Sequence, residues 1–290
     1  MANPIDRRVF LGAAAASGLT AGAPIVRGQE TRAPQGTNGA QPGETLAQQD
    51  KKPLGANKTR VIQLDAKPDI FTFDTARTAV LVVDLQNDFG SKGGMLDRAG
   101  IDLSGIQKVI TPTAKVLATA RAAGIKIVYL KMAYKPDLSD LGAPDSVNRV
   151  RHLQFGVGKK VTAPDGSESR VLIRDTWNTD IVAQLKPEAG DDVVYKTRYS
   201  GFYETDLDVR LKTSGIKYLI VTGCTTSVCV DSTVRDAMFR DYLCVMLSDC
   251  VSELLGQTLP RTNHEASLLT FEFVLGWVSD SDRLIKVILS

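Results

Sequence analysis

The chain has 290 residues, 43% hydrophobic and 23% charged, with a formal net charge of +2, a composition that suits a globular protein of one large domain or two. The near-neutral balance excludes the basic footprint of a nucleic-acid binder. Two histidines, His152 and His264, are too few for a His-rich metal site, and Cys224, Cys229, Cys244 and Cys250 are spaced like no zinc knuckle or ribbon, so neither metal nor cofactor is expected.

Residues 1–26 have the pattern of a twin-arginine export signal. Arg7 and Arg8 precede Val9, Phe10, Leu11 and a weakly apolar, Ala/Gly-rich run from Gly12 to Ala23. That run is too short and too Gly-rich to span a bilayer stably, so a periplasmic or secreted protein is expected rather than a membrane one. Residues 27–58 are rich in Gly, Pro, Gln, Asn and Thr and carry almost no large apolar side chain, as in a disordered linker. The folded domain is therefore expected over 59–290.

Within it, Ala79 to Asp84 forms an apolar run suited to a strand buried on both faces. A helical pattern follows over about 106–123 and stops at Gly124. Further strands are expected at 125–130, 192–196, 217–222 and 244–248, with a sixth at 284–288. Helical patterns occupy about 205–214, 227–241 and 261–275, while 135–175 is polar and irregular and reads as a long loop or lid. The alternation predicts an α/β fold in three layers, α/β/α, around a mostly parallel sheet of about six strands.

Ligands of such sheets bind beyond the carboxyl ends of the strands. Three chemically capable residues fall there: Asp84, Lys196 and Cys229. Taken alone, each has a plainer reading: a turn-capping aspartate, a solvated loop lysine, a cysteine packed as a small hydrophobe. Together they make a nucleophile system. A thiol at the start of a helix sees the positive end of the dipole, a neighbouring ammonium favours thiolate, and a carboxylate can take the proton and return it to a leaving amine. Cys224 reads as a small turn residue pointing into the core, Cys244 and Cys250 as core thiols, His264 as a surface or capping residue and Trp277 as packing.

The stretches Val83-Asp84-Leu-Gln-Asn-Asp-Phe89, Tyr195-Lys196-Thr-Arg-Tyr-Ser-Gly-Phe202 and Thr222-Gly-Cys-Thr-Thr-Ser-Val-Cys229-Val resemble, in content and order, those of the isochorismatase-like cysteine hydrolases. With Gly276-Trp-Val-Ser-Asp280 they look like the ureidoacrylate amidohydrolase and biuret hydrolase group of that family. The resemblance covers roughly 70–290 and implies Asp84, Lys196 and Cys229 as the catalytic triad. It also implies a non-proline cis peptide in the Gly223-Cys224-Thr225 turn and an oxyanion hole made by the backbone N–H groups of Thr225 and Cys229. Tyr199 is implied as a substrate contact, and Trp177, Asn178 and Arg198 are further candidates. Lys131-Met-Ala-Tyr134 stands where the nicotinamidase branch carries an Asp-x-His metal motif, which disfavours that activity and its metal.

The expected reaction is cysteine-dependent cleavage of a C–N bond in a small amide, ureide or carbamoyl compound through a thioester. Homo-oligomeric assembly is expected. Two alternatives stay open: vinyl-ether hydrolysis of the isochorismatase type, and an exported binding protein that has lost catalysis.

Overall fold

The computed structural model describes residues 59–290. The expected signal at 1–26 and linker at 27–58 lie outside the described residues. In chain order the elements are a ribbon of β1 (Val61–Leu64) and β2 (Phe71–Asp74), then β3 (Thr78–Val83), α1 (Asn87–Gly90), α2 (Met95–Arg98), α3 (Ser104–Ala122) and β4 (Lys126–Met132). Helix α4 (Val147–Gln154) and the hairpin of β5 (Lys160–Thr162) and β6 (Glu168–Arg170) precede β7 (Asp192–Lys196), α5 (Leu207–Thr213) and β8 (Tyr218–Cys224). After a π turn (Thr226–Val230) come α6 (Asp231–Met238), β9 (Leu243–Ser252), α7 (Asn263–Thr270), a second π turn (Phe271–Leu275), β10 (Trp277–Ser279) and α8 (Ser281–Leu289).

Six strands form one parallel sheet in the order β10-β9-β8-β3-β4-β7. Strand β3 lies inside it and is buried at all six positions, which is why it reads as an unbroken apolar run. Its side chains alternate between two cores. Val80 and Val82 pack on the side of α3 and α8, with Ile106, Leu117, Leu284 and Ile288. Ala79, Leu81 and Val83 pack on the other side, with Leu207 and Leu211 of α5 and Val234 and Ala237 of α6. The three-layer architecture is thus the expected one. Helix α3 buries Ile106, Val109, Ile110, Thr113, Val116, Leu117 and Ala120, a stripe at helical spacing that carries the layer despite Pro112 within it. Among the described residues no helix is long and apolar enough to cross a membrane.

Two expectations about secondary structure are corrected. The segment 284–288 is not a strand but the middle of α8: Asp280 caps it by accepting from the Arg283 N–H, and Leu284 and Ile288, four apart, are its buried pair. The sixth strand is Trp277–Ser279, three residues paired to β9. The segment 135–175 is not structureless, since it holds α4 and the β5–β6 hairpin.

Candidate active site

Asp84 closes β3 in the left-handed region (φ 53°), a conformation that aspartate tolerates better than most side chains. Its backbone is held on both sides: the N–H donates to the Leu130 carbonyl at 2.9 Å, and its own carbonyl accepts from Cys224 Sγ at 3.3 Å. Oδ1 of the side chain accepts from the Met132 N–H at 3.0 Å. The same N–H also reaches Oε1 of the fully buried Gln86, whose Nε2 donates to the Met132 carbonyl.

Lys196 ends β7, separated from β3 in the sheet by β4, so only a long side chain can reach across. It does so past Met132, placing Nζ 3.3 Å from the Met132 Sδ and 2.8 Å from Asp84 Oδ2. Nζ also donates to the Arg198 carbonyl at 3.2 Å. Both charged side chains are essentially inaccessible, 0% and 1% exposed. Asp84 Oδ2 makes this ion-pair contact without a well-directed hydrogen bond from any described residue, so it is the carboxylate oxygen with capacity to accept a proton.

Cys229 arrives from β8 through a tight turn. Gly223 (φ 122°) lies so close to β3 that a Cβ there would stand 2.0 Å from the Val83 carbonyl oxygen, which explains the glycine. The Cys224–Thr225 peptide is cis, as the resemblance implies. The following π turn changes the hydrogen-bond register. The Thr225 carbonyl accepts from the amides of Val228 and Val230, at 3.1 and 3.2 Å. The Cys229 amide, the partner an α-turn would use, is not among its donors. π turns recur at functional sites for this reason. The Cys229 carbonyl accepts from Thr233 Oγ1 at 2.7 Å, and the same hydroxyl accepts the Gly201 N–H at 3.0 Å, tying the 199–202 loop to α6.

The structure therefore brings Asp84, Lys196 and Cys229 together, close enough that the Lys196 and Asp84 charges both act on the Cys229 thiol. The electrostatics correct one expectation. Burial pushes the Cys229 thiol well up; Lys196 opposes that and Asp84 adds to it, so the resting group is the protonated thiol, not a thiolate. The ammonium does not outweigh desolvation. Lys196 goes the other way: burial disfavours its charge, but Asp84 and Cys229 raise its pKa overall. The site holds a neutral thiol beside a preformed carboxylate–ammonium pair.

The remaining candidates separate. Tyr199 is 39% exposed, and its phenol is pushed up first by burial and then by Cys229, so it lies within electrostatic range of that sulfur. Asn178 is fully buried and its amide is spent: Nδ2 donates to Asp88 Oδ1 and Oδ1 accepts from Ser169 Oγ, both at 2.5 Å. It is a structural residue, not a substrate contact. Trp177 is partly buried, and its carbonyl accepts from Asn87 Nδ2 at 2.8 Å. Arg198 donates from Nη1 to the Asp140 and Thr197 carbonyls, and its guanidinium lies 5.3 Å from the centroid of the Tyr203 ring. Cys224, Cys244 and Cys250 are free, buried thiols.

Both histidines are more involved than their sequence context suggests. His264 on α7 is not a surface residue: its Nδ1 lies 3.1 Å from Thr226 Oγ1 in the turn that carries Cys229. The adjacent Ser227 N–H donates to the buried Glu253 at 2.7 Å. His152 is buried in α4, its ring 5.5 Å from that of Tyr134 and 5.9 Å from that of Tyr199. No sequence motif marks either residue; each would be found only by knowing which element packs over the turn.

The isochorismatase domain profile matches residues 78–283. The chain is 40% identical over 219 residues to ureidoacrylate amidohydrolase RutB of Methylorubrum extorquens, covering 76% of this chain and 86% of that protein. It is 37% identical over 223 residues to ureidoacrylate amidohydrolase RutB of Variovorax paradoxus, covering 77% and 86%. Among solved structures, a cysteine hydrolase from Pseudomonas syringae pv. phaseolicola aligns with a TM-score of 0.64 at 27% identity over 80% of this chain and 98% of that one. N-carbamoylsarcosine amidase from Thermoplasma acidophilum aligns with a TM-score of 0.52 at 25% identity over 71% and 97%.

Proposed function

This chain belongs to the isochorismatase domain family, and we propose that it hydrolyses a C–N bond of a small amide, ureide or carbamoyl compound, with Cys229 as nucleophile, Asp84 as proton carrier and Lys196 as the charge that holds both. One observation carries the reading. Asp84 and Lys196, from two strand ends, and Cys229, from the turn after a third strand, meet in a buried cluster where an ammonium stands 2.8 Å from a carboxylate and both charges act on the thiol. Its relatives include proteins named for ureidoacrylate and for N-carbamoylsarcosine, which favours a carbonyl flanked by nitrogen.

The steps follow from the protonation states. Asp84 takes the proton from Cys229 as Sγ attacks the carbonyl carbon, so thiolate forms only with substrate in place. The Thr225 and Cys229 amides receive the oxyanion, the second released from the Thr225 carbonyl by the π register. The tetrahedral intermediate collapses, the C–N bond breaks, and Asp84 gives its proton to the departing nitrogen. Water, deprotonated by Asp84, then attacks the thioester carbonyl and returns Sγ to the thiol. Lys196 stays protonated throughout and balances whichever group carries the negative charge.

The test is ammonia or amine release from ureas, carbamates, biuret and small amides, compared with Cys229→Ala. Loss of turnover with an unchanged fold supports the reading. Turnover that survives the substitution overturns it, favouring vinyl-ether hydrolysis without a cysteine, and no turnover by the wild type favours the binding-protein alternative.

The paired Arg7 and Arg8 with the apolar run after them support export by the twin-arginine route to the periplasm or beyond. Cell fractionation of the full chain and of a variant with both arginines replaced by lysine tests this; unchanged distribution refutes it. Exposed Leu269, Phe273 and Val274, close together after α7 begins, support assembly of copies, which light scattering of the purified chain decides.

A further inference from the structure

Helix α4 is built inside out. Its one buried residue is His152, while Val147, Val150 and Leu153 are exposed at 76%, 41% and 44%. A helix that turns an imidazole inward and valines outward is not organised by apolar packing alone. The ring it buries lies against Tyr134 and Tyr199, at 5.5 and 5.9 Å between centroids, and both phenols lie within electrostatic range of the Cys229 sulfur. His152 itself feels Lys196 and Arg198. The α4 segment thus brings an imidazole to the wall of the nucleophile's site.

Its tautomer is fixed. Nδ1 lies 2.7 Å from the Asn148 carbonyl oxygen, which can only accept, so Nδ1 carries the proton. Burial, with Lys196 and Arg198 adding to it, keeps the ring neutral by lowering its pKa. Nε2 is therefore a lone-pair acceptor. It has no hydrogen-bond partner among the described residues, although His152 is 4% exposed. The charged and titratable groups around the cluster are Lys196, Arg198, Arg151, Tyr134, Tyr199 and Cys229, and none supplies a donor to Nε2. Nε2 is not among the enclosed polar atoms that lack a partner, so it faces space that a small molecule can reach and is free to accept an N–H brought by a ligand.

We propose that His152 is a substrate-positioning residue that accepts an N–H of an amide or ureide substrate at Nε2, selecting carbonyl compounds that carry such a donor. The inference rests on the hydrolase reading for the identity of the ligand and not for the state of the ring. In it Asp84 remains the base, and His152 positions the substrate without taking the thiol proton.

The full chain contains only two histidines, so imidazole ¹⁵N spectra of the histidine-labelled protein resolve His152 once His264→Asn assigns the other. The expected spectrum at neutral pH is the Nδ1–H tautomer, with the Nε2 resonance moving toward lower frequency on addition of urea as an N–H donor. An Nε2–H tautomer, a charged ring, or an Nε2 signal indifferent to saturating urea overturns the proposal, whether or not the protein turns anything over. In kinetics on N-carbamoylglycine, His152→Phe keeps the ring packing and loses the acceptor, and about a tenfold loss in kcat/KM, mostly in KM, is expected. His152→Gln, which restores an acceptor, recovers most of it. A His152→Phe enzyme with unchanged kcat/KM, or a His152→Gln enzyme no better than His152→Phe, refutes the assignment. Wild-type inactivity on N-carbamoylglycine counts against the substrate class alone, and the urea titration then decides on His152.

Discussion

Lys196→Met tests the centre of the site most severely. Methionine keeps much of the buried volume but leaves the Asp84 carboxylate, 1% exposed, without the ammonium that stands 2.8 Å from it. Of its two oxygens, Oδ1 retains the Met132 N–H, and Oδ2 has no well-directed donor among the described residues. Removing one member of a buried ion pair typically costs about 3–5 kcal/mol, because the partner is stranded without solvent. The value here should lie in the upper half of that range, since Lys196 itself is fully buried. Urea unfolding followed by fluorescence should show the midpoint falling with an unchanged slope. Amide hydrolysis should drop by about a thousandfold or more, because negative charge passing between Asp84 and Cys229 is no longer balanced. Adding Asp84→Asn separates the two effects. The double variant carries no stranded charge, so it should regain at least about 1–3 kcal/mol of the loss through coupling of the pair. It should stay inactive for want of a proton acceptor. Stability losses that simply add, or a Lys196→Met enzyme within about tenfold of wild type, would refute the claim that this pair is a coupled and catalytic unit.

Three further outcomes follow from other parts of the site. Gly223→Ala places a Cβ 2.0 Å from the Val83 carbonyl oxygen at a φ of 122°, so β8 and β3 must part at the site; a loss of about 3 kcal/mol or more and of nearly all activity is expected in unfolding and turnover assays. Thr233→Val removes the hydroxyl that joins the Cys229 carbonyl to the Gly201 N–H, and should cost about 1–2 kcal/mol and about tenfold in kcat/KM, read by the same two assays. Asp88, buried and accepting from Met95, Leu172 and Asn178, has its pKa pushed from 3.8 up to about 6, chiefly by burial. A carboxyl raised in the folded state stabilises fully below its unfolded pKa and loses that contribution as pH rises through the folded one. Between about pH 3.5 and 7 the wild type should therefore lose about 3 kcal/mol relative to Asp88→Asn in paired urea melts, and a flat difference would remove burial as the dominant cause.

Much of this was legible because β3 and β8 are buried on both faces. Runs such as Ala79–Val83 and Leu219–Val221 have no polar register to confuse the reading, and the polar residue that ends each run stands out. Asp84 stands out in that way, Lys196 as the residue that ends the shorter run Val193–Tyr195, and Cys229 as a thiol where a helical pattern restarts after the run that ends at Val221. What escaped has physical reasons. Helix α4 exposes its valines and buries its histidine, so a periodicity search aimed at an apolar face passes over it. The run 284–288 is short and β-branched, and only its capping by Asp280 and its four-residue burial spacing mark it as helix. Asn178 was misjudged because a buried amide and a ligand-binding amide look alike until Asp88 and Ser169 are seen at either end. The protonation state of Cys229 depends on burial, which no local motif encodes.

The proton that Cys229 keeps has a consequence outside the reaction. Peroxides and disulfides are attacked by thiolate and scarcely by thiol, so a sulfur that ionises only when a substrate carbonyl is present is a poor target at rest. With 8% of the residue exposed and the neighbouring Cys224 sulfur engaged by the Asp84 carbonyl, neither a bulky oxidant nor an adjacent free thiol has ready access. The burial that disfavours ionisation thereby also disfavours oxidation of the resting sulfur.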